Sequence, residues 1–575
     1  MALTKATMAG AQLGYFNPTD KSASRSVEAK LCDTINVMDY GAKGDGLTDD
    51  SYAIQLAIRE AARIGVYRVF IPSTSAHYRI CYPIFLLDKV ELFGCGISTR
   101  LVFENPTFSR GRGALVVGSS VEINRETVFA AYDSGDWVNK PVKNEGFVNP
   151  AHKEFIRDNP QFVQCEQASV HDMYIEGSYP GAIKEGGYGI NFVNAKDCTA
   201  YNIWGKGWTQ LIGIGSDVPP ETPSNYRCSA FNLHVIEPNQ EKTYYSIAFI
   251  ANSTDCIVQD AWQYSPCAAG TPHGSGVATN ITEDCTIRNI HIKDLGRTNT
   301  SEGVLINNSR GTLVENIHVG NAKTAVAHFY KDYDEMNDAE RPNIFRNITG
   351  VRCDSTFATR AKHAIIDGLT SRNCLREVFF GNLNATNNTF LTKPVSLDKL
   401  GSWTLDQYLQ NNKVKGWTRK QFYFRPQSYL IQDVSTLSSY DTNRKLETKE
   451  DAGIDVMIPL PPSIKGISQV TVMYGFGGGS QTKGTKLHVA LRRISKFSGD
   501  TNEQPIEVFA GDKTATSDSA SSGSFSIQSQ DHKGFTLIDD ATNGLADSVD
   551  VLISMQTPTN GCVIKEIRMS CIVED

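Results

Sequence analysis

The chain has 575 residues, 40% of them hydrophobic, and sets 56 Lys and Arg against 63 Asp and Glu for a net charge of −7. That length is too great for one compact core, and the lack of a basic block argues against nucleic acid as a partner. No stretch has the apolar length of a membrane span and no secretory leader opens the chain, so a soluble protein made in the cytoplasm without a cleaved signal is expected. The 13 cysteines include no Cys-x-x-Cys pair, and neither a metal site, a disulfide framework nor an organic cofactor is expected.

Residues 1–30 are small and polar, rich in Gly, Ser, Thr, Asn and Pro, and are expected to need a partner to become ordered. Next comes Asp39-Tyr-Gly-Ala-Lys-Gly-Asp-Gly46, then Thr48-Asp-Asp50 and the apolar positions Ile54, Ala57, Ile58, Ala61 and Ile64. Those positions share one face of a helix, which Asp49 or Asp50 can cap after a tight glycine loop. The clustered Asp45, Asp49 and Asp50 are read as turn and cap residues.

From residue 165 the chain repeats. Asp172, Asn202, Asn232, Asp260, Asn289, Asn316 and Asn347 recur at intervals of 27 to 31 residues, with Cys198, Cys228, Cys256 and Cys285 four residues before four of them. Each repeat holds short alternating apolar runs broken by Gly, Asn and Asp, and none holds a 3.6-period segment. A coil of parallel strands stacked about 4.8 Å apart satisfies this pattern and places equivalent residues in columns. Asn in such a column tolerates the left-handed turn and bonds its neighbours above and below, while Cys packs as a small buried apolar group. The helix then covers the strand edge left open at the start of the coil. Toward the C-terminus, strand-like runs such as 454–460, 470–474, 487–494, 549–555 and 563–573 alternate with Gly- and Ser-rich turns, a β-sandwich pattern.

The motif from Val37 to Ile58 resembles the opening signature of the pectate-lyase-like superfamily of polysaccharide-cleaving β-helices. The order of segments is similar to that of bacteriophage tailspike depolymerases. The resemblance implies an all-β fold: a right-handed, single-stranded parallel β-helix with an N-terminal capping helix and a C-terminal β-sandwich. The expected divisions are an anchor peptide at 1–30, a β-helix at 31–395 (cap 31–164, regular rungs 165–392), a connector at 396–435 and a sandwich at 436–575 that binds sugar, trimerises the chain, or both. It further implies a homotrimer in the virion, held by an adaptor or anchor protein through residues 1–30, made in host cytoplasm and acting on bacterial capsular polysaccharide.

The residue after each ladder position is apolar (Met173, Ile203, Leu233, Ala261, Ile290, Ile317, Ile348) and should face inward, so the next should face out. That outward column reads Tyr174, Trp204, His234, Trp262, His291, His318 and Thr349. It is too aromatic for a solvated strand face, and either a sugar chain or a neighbouring subunit is expected to cover it. Hydrolysis needs two carboxyl groups. Glu237 and Asp294, each five residues past a ladder position, are the first candidates, and Glu241 and Glu302 in adjoining loops are the alternatives. A lyase acting by β-elimination on a uronic acid would instead draw on His291, Tyr264 or Lys293 as base and Arg297 as the cation. A non-catalytic adhesin remains open as a third reading.

Overall fold

The computed structural model describes residues 14–15, 25–26, 31–104, 112–118, 165–177, 187–215, 225–238, 245–267, 274–296, 301–329, 339–381, 384–394 and short segments beyond. The chain divides into two compact units, Met1–Ala364 with Gly368–Leu375, and Ile365–Asp367 with Arg376–Asp575. Among the described residues no helix is long and apolar enough to cross a membrane.

The first unit is a parallel β-helix. Its ladder sheet runs from Ile35–Asn36 through Arg68–Phe70 and Glu91–Phe103 to the ladder strands, which are Ser169–Gly177, Thr199–Lys206, Ser229–Glu237, Ile257–Gln263, Thr286–Ile292, Leu313–Gly320 and Asn343–Val351. A companion sheet stacks the strands that follow each of them, among them Gly187–Val193, Tyr245–Thr254, Ser275–Glu283 and Glu302–Arg310. Every pairing between neighbouring ladder strands is parallel, and each step advances one rung, as the repeat requires.

The ladder residues all adopt the left-handed conformation, with φ between 52° and 57°. Asn and Asp enter this region more readily than other side chains, and the reversed φ turns the strand a corner. As a result the residue before the ladder position and the second residue after it both face out. Met173, Ile203, Leu233, Ala261, Ile290, Ile317 and Ile348 are all fully buried. Each Ile or Leu so placed contributes roughly 1.5 to 3 kcal/mol.

Cys198, Cys228, Cys256 and Cys285 are likewise buried, and none is in a disulfide. Their thiols meet the carbonyls of Lys196, Ala195, Thr254 and Glu283 at 3.3 to 3.4 Å. The thiols of Cys228 and Cys285, together with burial, push the Cys256 thiol well up.

Helix Ser51–Ile64 buries Ala53, Ile54, Ala57, Ile58 and Ala61, but Ile64, expected on the same face, is 48% exposed beyond the last packed turn. The three aspartates are structural. Asp45 accepts the amides of Leu47 and Thr48, which hold it down to about 2. Asp49 accepts the Ser51 amide at the start of the helix. Asp50, wholly buried, turns back to the amides of Lys43 and Gly44 in a loop where Gly44 and Gly46 have positive φ.

Of the expected anchor peptide, only the antiparallel pair Gly14–Tyr15 and Arg25–Ser26 is described. In the second unit, parallel pairing continues as far as Lys413–Val414, past the expected end of the rungs. Two five-stranded antiparallel sheets follow. The stretch expected as a connector supplies a strand to each, since Thr418–Phe424 pairs with Cys562–Val573, and Leu430–Ile431 with Gly453–Pro459. A propensity reading misses such strands, because only the distant partner makes Thr418–Phe424 part of a sheet. Val470, Val472, Ile567 and Met569 form buried positions of the first sheet.

Candidate functional site

The outward column forms as the spacing requires. Tyr174, Trp204, His234, Trp262, His291, His318 and Thr349 are successive partners in the ladder sheet. From Trp204 to His318 the rings stack on one another with centroids 5.2, 5.0, 6.0 and 6.2 Å apart, the first three pairs within 11° of parallel. Rung spacing imposes this, because side chains leaving one face every ~4.8 Å can be accommodated only with their planes across the axis. The ring faces therefore cover each other, and the column turns ring edges outward. Arg100 sits over Tyr174 at 5.4 Å from the ring centroid.

Beside this column lies a row of charge. Glu176 pairs in register with Lys206, and Lys206 with Glu237. Glu237 is five residues past its ladder position and Lys206 only four, because a bulge between Val235 and Glu237 absorbs one residue. Lys206 Nζ lies 3.8 Å from Glu176 Oε1 and 3.8 Å from Glu237 Oε2, so those oxygens are separated by no more than twice that distance. Glu176 also accepts a hydrogen bond from Tyr174 Oη at 3.3 Å and faces Arg100 at 3.5 Å. Burial and the Glu176 charge push the Tyr174 hydroxyl up to about 12.

Glu237 thus stands at the column with a second carboxylate near it, but that carboxylate is Glu176. Asp294 belongs two rungs further along, and its Oδ1 accepts the Gly296 amide and Asn321 Nδ2, both at 2.9 Å, which ties down a turn. Glu302 is the first residue of a companion strand, not a loop residue. It shares the parity of the buried Val304 and Ile306 and accepts Ser275 Oγ at 3.0 Å. Burial pushes its carboxyl up to about 7. Glu241 and Arg297 lie outside the described residues. Tyr264 and Lys293 are exposed at the same side, and Tyr264 Oη is 3.0 Å from His234 Nδ1. Among the described residues no cluster of His, Cys, Asp or Glu could hold a metal ion.

A second outward column went unread in the sequence. Phe70, Phe93, His171, Tyr201 and Phe231 are successive register partners, the last three one residue before the ladder corner, with ring centroids 5.3, 5.6, 4.2 and 5.0 Å apart, the first pair tilted and the others stacked. The same count, taken one residue back from each Asn, would have found most of it. The Glu176–Lys206 contact carried the same kind of signal, two residues past the aromatic positions.

Residues 34–265 match the family described as rhamnogalacturonase A/epimerase, pectate lyase-like. Over that stretch the β-helix is similar to that family. No curated protein matches the chain. Among solved structures, the chain is similar to the tailspike protein of E. coli bacteriophage HK620 in complex with a pentasaccharide, at 10% identity over 100% of this chain and 99% of that one, with a TM-score of 0.42. It is also similar to PfbA, a surface adhesin of Streptococcus pneumoniae, at 13% identity over 62% and 84% with a TM-score of 0.37. The A-module of the Azotobacter vinelandii mannuronan C-5 epimerase AlgE6 matches at 14% identity over 62% and 99%, with a TM-score of 0.30. On the β-helix the aromatic column and the Glu176–Lys206–Glu237 row lie on the same sheet, one corner away from the second aromatic stack.

Proposed function

We propose that the chain is a phage tailspike that binds a bacterial surface polysaccharide along the Tyr174–His318 column and cleaves it by glycosidic hydrolysis. The observation that carries this reading is the pair of carboxylates held on either side of Lys206, beside a long outward row of aromatic edges. Two rungs set the backbones of Glu176 and Glu237 ~10 Å apart, and their side chains close to a spacing that suits an inverting pair, ~6.5 to 9.5 Å, or one slightly tighter. Glu176, with donors from Tyr174, Arg100 and Lys206 around it, takes the role of base toward water. Glu237, with Lys206 alone, hands a proton to the leaving oxygen. Ring edges and polar tips suit hydroxyl-rich sugars, and a repetitive groove suits a repetitive polymer.

The same reading has three copies associating side by side in the virion, with residues 1–30 attaching to an adaptor protein. Light scattering on the purified protein should give three times 63.2 kDa, and deletion of residues 1–30 should abolish attachment and spare cleavage. Incubation with purified capsular and O-antigen polysaccharides tests the chemistry. New reducing ends without a double bond are expected. An unsaturated product would replace hydrolysis with elimination, and bound but unchanged polymer would leave an adhesin.

A further inference from the structure

The Asn ladder is broken once, and the break falls beside the aromatic column. Nδ2 of Asn202 donates to Asp172 Oδ1 at 2.8 Å, and Nδ2 of Asn232 donates to Asn202 Oδ1 at 2.6 Å. The next rung carries Asp260, whose side chain has no N–H to donate and so gives nothing to Asn232. A second run starts there, with Asn289 donating to Asp260 at 2.7 Å, then Asn316 to Asn289 and Asn347 to Asn316, each at 3.0 Å. Each run thus opens with an aspartate.

The Asn232 oxygen that the ladder does not use is taken by His234, whose Nε2 lies 3.0 Å from it. Oδ1 can only accept, so Nε2 carries the proton and Nδ1 keeps its lone pair. Tyr264 Oη, 3.0 Å from Nδ1, therefore donates its one proton inward. Burial lowers the His234 pKa, which favours the neutral ring that this arrangement needs. The ring is held from above and below by Trp262 and Trp204. Tyr264 is 46% exposed, and with its proton committed its hydroxyl offers the outside only lone pairs.

We propose that Asp260, by interrupting the ladder, orients His234 through Asn232 so that Tyr264 stands on this outward face as a fixed hydrogen-bond acceptor for a sugar hydroxyl of the polysaccharide. The inference rests on the reading that the polymer lies on this face. Asn232, His234 and Asp260 are positioning residues, and Tyr264 makes the contact.

Asp260→Asn tests it in the full-length protein. The new amide can still accept from Asn289 and can also donate to Asn232 Oδ1, which joins the two runs and makes the amide compete with His234 for that oxygen. We expect an unchanged melting temperature and loss of the Nε2–H signature of His234 in the nitrogen spectrum of histidine-labelled protein, assigned with His234→Gln. The affinity for a capsular or O-antigen polymer that the parent binds should fall about 3- to 10-fold, the effect of one hydrogen bond. Tyr264→Phe should show the same fall, and the double variant no more. Should Asp260→Asn fail to fold, Asn232→Gly removes the acceptor while tolerating the left-handed backbone, and must give the same spectral change. An unaltered His234 spectrum overturns the relay. A changed spectrum with unchanged affinity overturns the role of Tyr264. If no polymer in the panel binds the parent, the polysaccharide reading falls with the ligand role, while the spectrum still decides the relay.

Discussion

The two outward columns flank the same row of ladder corners, yet their chemistry diverges at Asp260. The column before the corner is aromatic from Phe70 to Phe231 and then turns polar, continuing as Gln259, Arg288, Glu315 and Arg346. Several of its polar groups are tied to neighbours. His171 bonds Asp172 and Glu91, Arg68 pairs with Glu91 and covers Phe93, Gln259 donates to Asp260, and Arg288 donates to Gln259. The column after the corner stays aromatic through His318 and carries beside it a row where two carboxylates share a lysine. A column whose polar groups are spent on its neighbours supports the fold, whereas one flanked by converging, partly exposed charge has groups left for a ligand.

The comparison breaks most visibly at the carboxylates. Glu237→Gln and Glu176→Gln should each lower turnover on a cleaved polysaccharide by about 10²- to 10⁴-fold, the usual range for a lost acid or base. Melting temperature should stay within about 2 °C, since partly exposed ion pairs contribute little to stability. Parent-like turnover in both variants would show that the charged row is as structural as the column across the corner.

The rungs, the buried cysteines and the outward aromatic register were legible because a period near 30 residues with a fixed offset determines which residues become neighbours. What a one-residue bulge does to that register was not. The insertion at Ile236 moves Glu237 into line with Lys206, and only the pairing of whole strands decides whether a bulge forms. Glu302 was misplaced for a related reason, since its inward direction follows from where the companion strand begins. The aromatic residues were recognisable from sequence, but their mutual stacking depends on the rung spacing, and with it the fact that edges rather than faces point out.

Glu302 tests the inward side of the comparison. Its carboxyl is raised to about 7, chiefly by burial, so its contribution to stability is full below the ordinary glutamate range and is lost as pH rises through about 7. Glu302→Gln is neutral at every pH and keeps an acceptor for Ser275. It should match the parent near pH 4 and exceed it above pH 7 by on the order of 2 kcal/mol, read from denaturant midpoints across that range. A constant difference between the two proteins at all pH values would mean that Glu302 is not buried as an acid.

Smaller effects separate the columns themselves. Phe231→Ala removes the last ring of the first stack and should cost roughly 1 to 2 kcal/mol of stability, while affinity for polysaccharide is unchanged. Trp262→Ala, in the second column, should cost comparable stability through its two ring neighbours and also weaken binding about 5- to 10-fold. Isothermal titration and thermal melts on both proteins resolve the two cases, and a loss of affinity in Phe231→Ala would extend the groove around the corner.

The smallest expected change comes from extending the first stack. Gln259→Phe places a ring one rung above Phe231, where register already aligns the two positions. The gain from another stacked pair is ~0.5 to 1.5 kcal/mol. Against it stand the lost bonds from Gln259 to Asp260 and from Arg288 to Gln259, which are partly exposed and contribute about 1 kcal/mol together. The two nearly cancel, so chemical denaturation should place the variant within about 0.5 kcal/mol of the parent, with cleavage unaffected. Destabilisation beyond about 2 kcal/mol would mean that the change from aromatic to polar at this rung is imposed by packing around Asp260, and that the ladder break has a structural cause on the first column as well as a consequence on the second.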